Sequence, residues 1–222
     1  MTGLKHLFPL LLALTAGLSN LTSCSEDLGE NTEYADWQNR NHAFFLGKLS
    51  EAKAAVAQAR ATYGNNWQEH CRWRVFRTFA LTEDATATAT DSICVEVLHN
   101  GGGSGCPFYT DSVRVNYLGR LIPSESYPEG KVFDHSGQYA EAEQVFNPDF
   151  AIPRTFLTSN VVEGFSTALQ EMHINDLWRI YIPQKMAYGA QALNSVPAYS
   201  TLIFDVQLKS YYRAGVVPDR WQ

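Results

Sequence analysis

Apolar positions change their spacing along the chain, and the change separates a helical region from a strand-rich one. Between about Tyr34 and Ala61 they recur every three or four residues, as one face of an α-helix requires. The apolar stripe consists of Phe45, Leu49, Ala52, Val56 and Ala59. Gly64 and Asn65 follow where a left-handed residue commonly ends a helix. The pattern predicts a helical arm that packs on the rest of the chain or on a second copy.

Alternation with a period of two begins at Trp73 and predicts a half-buried strand over 73–79. The Ala/Thr-rich stretch 84–91 has no strong period and predicts a loop. A helix is expected over Gly164–His173, with Phe165, Leu169 and Met172 on one face. The other predicted strands are Ile93–Leu98, Ser112–Tyr117, Trp178–Ile182 and Leu202–Leu208. Together these elements predict an α+β fold in which an antiparallel sheet wraps one short helix.

Composition narrows the class of protein. A chain of 222 residues with 45% hydrophobic and 18% charged residues has the make-up of a folded globular domain with some additional structure. Its net charge is −6 and no Lys/Arg cluster offsets this, which argues against a nucleic-acid partner. An aromatic content of 13% suits an apolar core or an aromatic-lined pocket.

The N-terminus has the pattern of an export signal. Lys5 precedes an apolar run over 7–14 that is too short to span a bilayer, so 1–23 is predicted to be a signal peptide. The sequence Leu21-Thr22-Ser23-Cys24 resembles a lipobox, in which acyl chains on Cys24 would hold the protein on a bacterial membrane. A plain cleaved signal with an incidental Cys24 is the alternative. The expected location is the cell envelope, on either face of the outer membrane.

Residues 24–33 are acidic and polar, and they predict a tether. Within it, Ser25-Glu26-Asp27 resembles the acidic tag of surface lipoproteins in the Bacteroides group, while a solvated linker is the alternative. Three further cysteines allow at most one internal disulfide, and both Cys71–Cys94 and Cys94–Cys106 stay open. The histidines show no paired ligand spacing and no Cys-x-x-Cys occurs, so neither a metal site nor a cofactor is expected.

Five segments, in a shared order, resemble FKBP-type peptidyl-prolyl cis/trans isomerases. They are Val113–Gly119, Val132–Ser136, Val161–Phe165, Ile182–Gly189 and Val196–Val206. The resemblance implies an FKBP-like curved antiparallel sheet around one short helix, preceded by the N-terminal helical arm. The expected organisation is an arm and strand extension over 34–90, an isomerase domain over 91–213 and a C-terminal tail over 214–222.

Residue roles follow from the resemblance alone. The implied catalytic set is Tyr117, Phe133, Asp134, Tyr188 and Phe204. The implied substrate-binding set is Val161, Val162, Phe165, Ala187 and Val196. The aromatic rings would hold a prolyl ring, and the Tyr188 hydroxyl would donate to the carbonyl of the X–Pro bond. The Val162 amide would donate to a second substrate carbonyl, and Asp134 would orient its neighbours at the pocket edge.

The sequence also departs from the family pattern. Phe165 replaces the usual Trp of the pocket floor, and Asn175 replaces a Gly after the helix, where Asn can still adopt the left-handed conformation. Arg154 lies near a position that can be aromatic, which predicts an open or charged pocket wall. The loop 191–195 is about one residue shorter than in small eukaryotic members of the family.

Two functions are compatible with these features. One is a prolyl isomerase that acts on proline-containing polypeptides and assists the folding of envelope or exported proteins. The other is a catalytically weak binding or chaperone module that uses the same pocket. The intact pocket residues favour the isomerase. The resemblance also implies that the pocket could bind macrolide inhibitors. The shorter loop 191–195 is expected to change the affinity for them.

Overall fold

The computed structural model describes residues 32–137 and 145–218. The predicted signal peptide, Cys24 and nearly all of the tether lie outside these residues, as does the end of the C-terminal tail. Residues from Thr32 onward form one compact unit. No helix among the described residues is both long enough and apolar enough to cross a membrane.

The described residues of this unit form two α-helices and seven strands, with short 3-10 turns between them. The helices are α1 (Trp37–Tyr63) and α2 (Glu163–Leu169). The strands are β1 (Trp73–Arg77), β2 (Ser92–His99), β3 (Ser112–Arg120), β4 (Val132–His135), β5 (Arg154–Leu157), β6 (Leu177–Ile182) and β7 (Leu202–Tyr212). Their order along the sheet is β1-β2-β6-β7-β3-β4, with β5 paired to β3, and every pair is antiparallel. The predicted fold class, an antiparallel sheet with a short helix and an N-terminal helix, is confirmed.

The main core lies between α2 and the sheet. Phe165, Ala168 and Leu169 of α2 are buried, and this helix packs against β2 and β6. The central strands β6 and β7 place fully buried Ile180 and Val206 in the same core. Apolar side chains of both α2 and the sheet are removed from water where the two meet. This burial holds the helix in position against the strands.

Helix α1 packs against β1, β2 and β6 of its own chain. Its buried residues are Trp37, Asn41, Phe45, Leu49, Ala52 and Ala59, which recur at the spacing of one helix face. The helix ends at Tyr63 and is capped by Gly64, whose amide donates to the Arg60 carbonyl and whose positive φ of 56° is one that glycine adopts without strain. The predicted arm is therefore present and covers the sheet.

Helix α2 differs from its prediction. It ends at Leu169, four residues before the predicted end at His173. The Asp176 carboxylate accepts a hydrogen bond from the His173 amide at 2.8 Å, and Asn175 has a φ of 71°. These features turn the chain into β6, while Met172 remains buried as the apolar pattern predicted. The left-handed conformation expected of Asn175 is confirmed.

The three described cysteines are free thiols. Cys94 lies on β2 with no exposed surface, and burial raises the pKa of its thiol to about 12. Neither of the two disulfide pairings considered from the sequence is therefore formed in this structure.

Candidate functional site

A cavity of about 480 Å³ opens beside the N-terminus of α2. Its lining comes from β3, β4, β5 and β7, from the segment between β5 and α2, from α2, and from the segment after β6. The lining residues are Tyr117, Asp134, Phe156, Ser159, Asn160, Val161, Val162, Phe165, Tyr188 and Phe204. The volume lies in the range typical of small-ligand sites, which are mostly apolar with a few placed polar groups.

Aromatic rings form the floor of the cavity. The ring centroids of Phe165 and Phe204 lie 4.9 Å apart at an interplanar angle of 65°. Tyr117 approaches the same two rings with centroids 6.4 Å and 6.3 Å away. Edge-on contacts at these distances are favourable for aromatic pairs. The rings therefore support one another and present a fixed apolar surface to a ligand.

Tyr117 and Asp134 form a hydrogen-bonded pair at the edge of this floor. The Tyr117 hydroxyl donates to Asp134 Oδ2 at 2.9 Å, and the amide of His135 donates to Asp134 Oδ1 at 2.9 Å. Burial, together with the negative charge of Asp134, raises the pKa of Tyr117, so its hydroxyl stays protonated. Since both carboxylate oxygens already accept hydrogen bonds, Asp134 is suited to orient Tyr117 and less suited to remove a proton.

Besides the side chains of Ser159 and Asn160, two lining residues carry a hydrogen-bond donor without a partner among the described residues. One is the hydroxyl of half-buried Tyr188, whose pKa is raised by burial and by Asp134, so that it remains a donor. The other is the backbone amide of Val162, which immediately precedes α2 and belongs to the helix terminus where amides have no intrahelical acceptor. Both donors are available to carbonyl groups of a ligand.

The segment that carries Tyr188 is held by local hydrogen bonds. The Gly189 amide donates to the Gln184 carbonyl at 2.9 Å, and the Tyr199 amide donates to the Gly189 carbonyl at 2.7 Å. Tyr199 itself has a φ of 62°, which is uncommon for a residue with a side chain and reverses the chain before β7. Tyr188 is thus fixed between two closed turns.

The structure brings together most of the residues proposed from the sequence. Those that line the cavity are Tyr117, Asp134, Val161, Val162, Phe165, Tyr188 and Phe204. Phe133 packs edge-on against Phe204, with the two ring centroids 5.4 Å apart, and is not a lining residue. Ala187 lies next to Tyr188 and is packed against the core, and Val196 is buried beside Leu193. These three residues support the cavity without lining it.

Sequence reasoning missed three lining residues: Phe156, Ser159 and Asn160. Arg154, expected to leave one wall open or charged, is exposed and does not line the cavity. Phe156, two residues later on the short strand β5, provides an aromatic wall and lies 5.8 Å from Tyr117 between ring centroids. Both residues lie on the same face of β5, with Arg154 opposite Val115 and Phe156 opposite Val113, and the positive charge of Arg154 acts against the rise in the Tyr117 pKa. The expectation of a charged wall therefore stays a prediction.

Metal chemistry has no candidate site in the part of the chain that the structure describes, where no three His, Cys, Asp or Glu side chains come together. The cavity thus offers an apolar aromatic floor, the donors of Tyr188 and Val162, the polar side chains of Ser159 and Asn160, and one carboxylate that already accepts two hydrogen bonds. Such a site can desolvate and orient an amide, and it offers no activated nucleophile.

Comparison with known proteins assigns the family. The family model described as FKBP-type peptidyl-prolyl cis-trans isomerase matches residues 107–209. A macrophage infectivity potentiator of Trypanosoma cruzi is 32% identical over 148 residues, covering 65% of this chain and 67% of that protein. The FKBP-type 22 kDa peptidyl-prolyl cis-trans isomerase of Escherichia coli (strain K12) is 36% identical over 110 residues, covering 49% and 45%. The chain belongs to the FKBP-type peptidyl-prolyl cis-trans isomerase family.

Two further similarities complete the comparison. The outer membrane protein MIP of Legionella longbeachae is 30% identical over 117 residues, covering 52% of this chain and 43% of that protein. The crystal structure of FkpA from Escherichia coli has a TM-score of 0.44 and 26% identity, covering 81% of this chain and 71% of that chain. The chain thus spans about half the length of several curated relatives. Residues 32–106, which include α1, β1 and β2, precede the match to the family model.

Proposed function

We propose that the cavity binds the prolyl ring of a polypeptide and accelerates cis/trans isomerisation of the preceding peptide bond, in support of the folding of exported or envelope proteins. The observation that carries the proposal is the aromatic floor of Tyr117, Phe165 and Phe204 beneath two available donors. Family membership is consistent with this activity.

The chemistry needs no covalent step. Rotation about an X–Pro amide crosses a barrier of about 18–20 kcal/mol in water, because the planar amide loses its resonance. The twisted amide is less polar than the planar one, so an apolar pocket that excludes water favours the twisted form. Each tenfold gain in rate requires about 1.4 kcal/mol of such differential stabilisation.

Each polar group has a place in this scheme. The Tyr188 hydroxyl donates to the carbonyl of the residue before proline and holds it during rotation. The Val162 amide donates to a carbonyl on the far side of the prolyl ring. Asp134 keeps the Tyr117 hydroxyl turned away from the ring through their 2.9 Å hydrogen bond, so that the floor meets the substrate with its apolar surface.

The proposal is tested by measuring isomerisation of a short X–Pro peptide with the purified protein and two variants. Tyr188→Phe removes a single donor and is expected to lower kcat/KM about tenfold, in line with one hydrogen bond that matters in the transition state. Phe204→Ala removes part of the floor and is expected to lower it further. Phe150→Ala, at an exposed ring outside the cavity, is the matched control.

Circular dichroism establishes that each variant is folded. A folded parent that does not accelerate the reaction, with any of several residues before proline, contradicts the catalytic proposal. If that parent still binds the peptides and Phe204→Ala abolishes the binding, the domain is a proline-directed binding module. The same peptide assay, repeated with a macrolide present, tests whether the pocket also accepts this class of inhibitor.

We also propose that acyl chains on Cys24 attach the protein to a bacterial membrane, as in lipoproteins of the Bacteroides group. The lipobox-like sequence Leu21–Cys24 supports this, and one relative is itself named an outer membrane protein. In cells, Cys24→Ala is expected to move the protein from the detergent-extractable membrane fraction to the soluble fraction. Equal membrane association of parent and variant would contradict lipid attachment.

A further inference from the structure

A second cavity adjoins the cavity lined by Tyr117, Phe165 and Phe204, which we call the proline pocket, and the two share the lining residues Ser159 and Val161. We call it the flanking groove; its volume is about 500 Å³. Its other lining residues are Thr78, Phe79, Ala80, Tyr109, Glu163, Ser166, Thr167 and Gln170. One wall, Thr78–Ala80, follows β1 and lies outside the part of the chain that matches the family model.

Thr78–Ala80 is held firmly against α2. Thr78 is 4% exposed, and its hydroxyl donates to the carboxylate of Glu163 at the start of the helix. The Thr78 amide donates to the Asp91 carbonyl at 2.9 Å, and the Ala80 amide donates to Thr78 Oγ1 at 3.1 Å. These bonds place Phe79 beside the groove with 57% of its surface exposed. A ring held in this position is available for contact with a ligand.

The other aromatic wall is fixed in a similar way. Tyr109 lies in a turn closed by buried Asp111, whose carboxylate accepts from the Phe108 amide at 2.7 Å and whose amide donates to the Phe108 carbonyl at 3.0 Å. The Asp111 carbonyl accepts from the amide and hydroxyl of Thr158, one residue before Ser159. The turn therefore connects Tyr109, which is 56% exposed, to the boundary between the two cavities.

Charge in the groove has a single sign. Glu163 is the charged residue among the described lining residues, which include no Lys or Arg. Its side chain is exposed, and no described cation lies within ion-pair distance of it. Because the remaining lining is aromatic, aliphatic, hydroxyl or amide, the groove is complementary to a segment that carries an aromatic or aliphatic side chain and a positive charge.

We propose that the flanking groove binds the residues that follow proline in a polypeptide substrate and favours aromatic and basic side chains there. This inference rests on the proposed isomerase function. The direction follows from the two donors: Tyr188 takes the carbonyl before proline, so the Val162 amide takes a carbonyl after it. Val162 follows Val161, which lines both cavities, and a chain leaving the pocket past this amide enters the groove.

The test compares three peptides. The first is a short X–Pro peptide, and the second extends it after proline by four residues that include Phe and Lys. The third carries the same four residues before X. For each peptide, kcat/KM for isomerisation and the Kd from fluorescence anisotropy are measured with the purified protein.

For the parent, extension after proline is expected to raise kcat/KM and affinity by about fivefold to tenfold, the effect of removing about 40–55 Å² of apolar surface, part of one aromatic side chain, from water. Extension before X is expected to have a much smaller effect. Phe79→Ala and Tyr109→Ala should each bring the ratio of long to short peptide close to one. Phe150→Ala, which removes an equally exposed ring elsewhere, should leave the ratio unchanged.

Glu163→Gln separates charge from apolar contact, because glutamine can still accept the hydrogen bond from Thr78. This variant should lose the preference for Lys over Gln at one position of the extension. In the parent, the same preference should shrink as salt is raised, because salt screens the attraction between Glu163 and Lys.

Equal values for long and short peptides in the parent would overturn the proposal, as would a ratio that survives both Phe79→Ala and Tyr109→Ala. The proposal would also be overturned if Phe79→Ala lowered the ratio of long to short peptide only for the peptide extended before X. Inactivity of the parent on every peptide contradicts the isomerase function instead. In that event the Kd ratios still decide whether the groove binds the residues after proline.

Discussion

Asn41 connects the N-terminal helix to the strand that carries Phe204, and its removal should weaken both the fold and the site. The side chain has no exposed surface. Asn41 Oδ1 accepts from the Thr201 amide at 2.7 Å, Asn41 Nδ2 donates to the Trp37 carbonyl at 2.7 Å, and the Asn41 carbonyl accepts from the Thr201 hydroxyl at 3.1 Å. Thr201 is 1% exposed and directly precedes β7.

The magnitude follows from what Asn41→Ala leaves behind. The Thr201 amide loses its acceptor in a place that water does not reach, which costs about 1–3 kcal/mol. Loss of the hydrogen bond to Trp37 adds about 1 kcal/mol, so the free energy of unfolding should fall by about 2–4 kcal/mol. The hydroxyl of Thr201 keeps its bond, because that bond is to the Asn41 backbone.

Urea denaturation of parent and variant measures this difference, and Asn39→Ala is the matched control. Asn39 lies on the same helix and hydrogen-bonds to Asp36, but it is exposed, so its loss should cost about 0.5 kcal/mol or less. Under conditions where both variants are folded, Asn41→Ala should also lower isomerase activity, because Thr201 sets the start of the strand that carries Phe204. Equal stability of the two variants would refute the argument that Asn41 anchors β7.

Two further predictions concern the pocket and its support. Gly119→Ala is expected to reduce isomerase activity on a short peptide at least tenfold. A Cβ at this position would lie 2.6 Å from the Phe204 ring and 2.7 Å from the Phe133 ring, so it would displace the floor. Unchanged kinetics in the folded variant would contradict this prediction. Hydrogen bonds from Lys185 and from the hydroxyl and amide of Thr88 lower the pKa of Asp91 from 3.8 to about 2. The ionised carboxylate therefore stabilises the fold above about pH 4, and this contribution is lost as the pH falls towards about 2. Asp91→Asn should therefore lower the urea midpoint at pH 7 and have a smaller effect at pH 2, and an equal effect at both values would contradict the pairing.

The elements predicted best from the sequence are those whose periodic pattern is long. The observed helix Trp37–Tyr63 differs from the predicted 34–61 by a few residues at each end, because its apolar stripe is regular and Gly64 ends it. The strand Arg154–Leu157 was not predicted. It has only four residues and one partly buried ring, Phe156, so its conformation comes from pairing with β3 and not from a local preference.

The site residues that could be predicted are likewise those in recognisable sequence patterns, while the others depend on tertiary contacts. Tyr117, Tyr188 and Phe204 could be proposed because recognisable segments carry them. Ser159 and Asn160 line the cavity because of the path that the chain takes between β5 and α2. Nothing in the type or spacing of these two residues predicts that they contribute to a site. Phe133 was assigned to the same surface as Phe204, yet it is not a lining residue: the two rings come from β4 and β7 and meet above Gly119 of β3, and this contact across a third strand cannot be predicted from sequence.

The region before residue 107 contributes to the site although it precedes the match to the family model. Asn41 of α1 fixes the residue before β7, and Asp91 holds Lys185 in the segment that leads to Tyr188. Thr78, after β1, binds the start of α2 and places Phe79 in the flanking groove. Each contact joins this region to an element that carries a pocket residue. If the proposals hold, the N-terminal region determines how firmly the pocket is built and which sequences after proline it accepts, while the aromatic floor supplies the isomerisation itself.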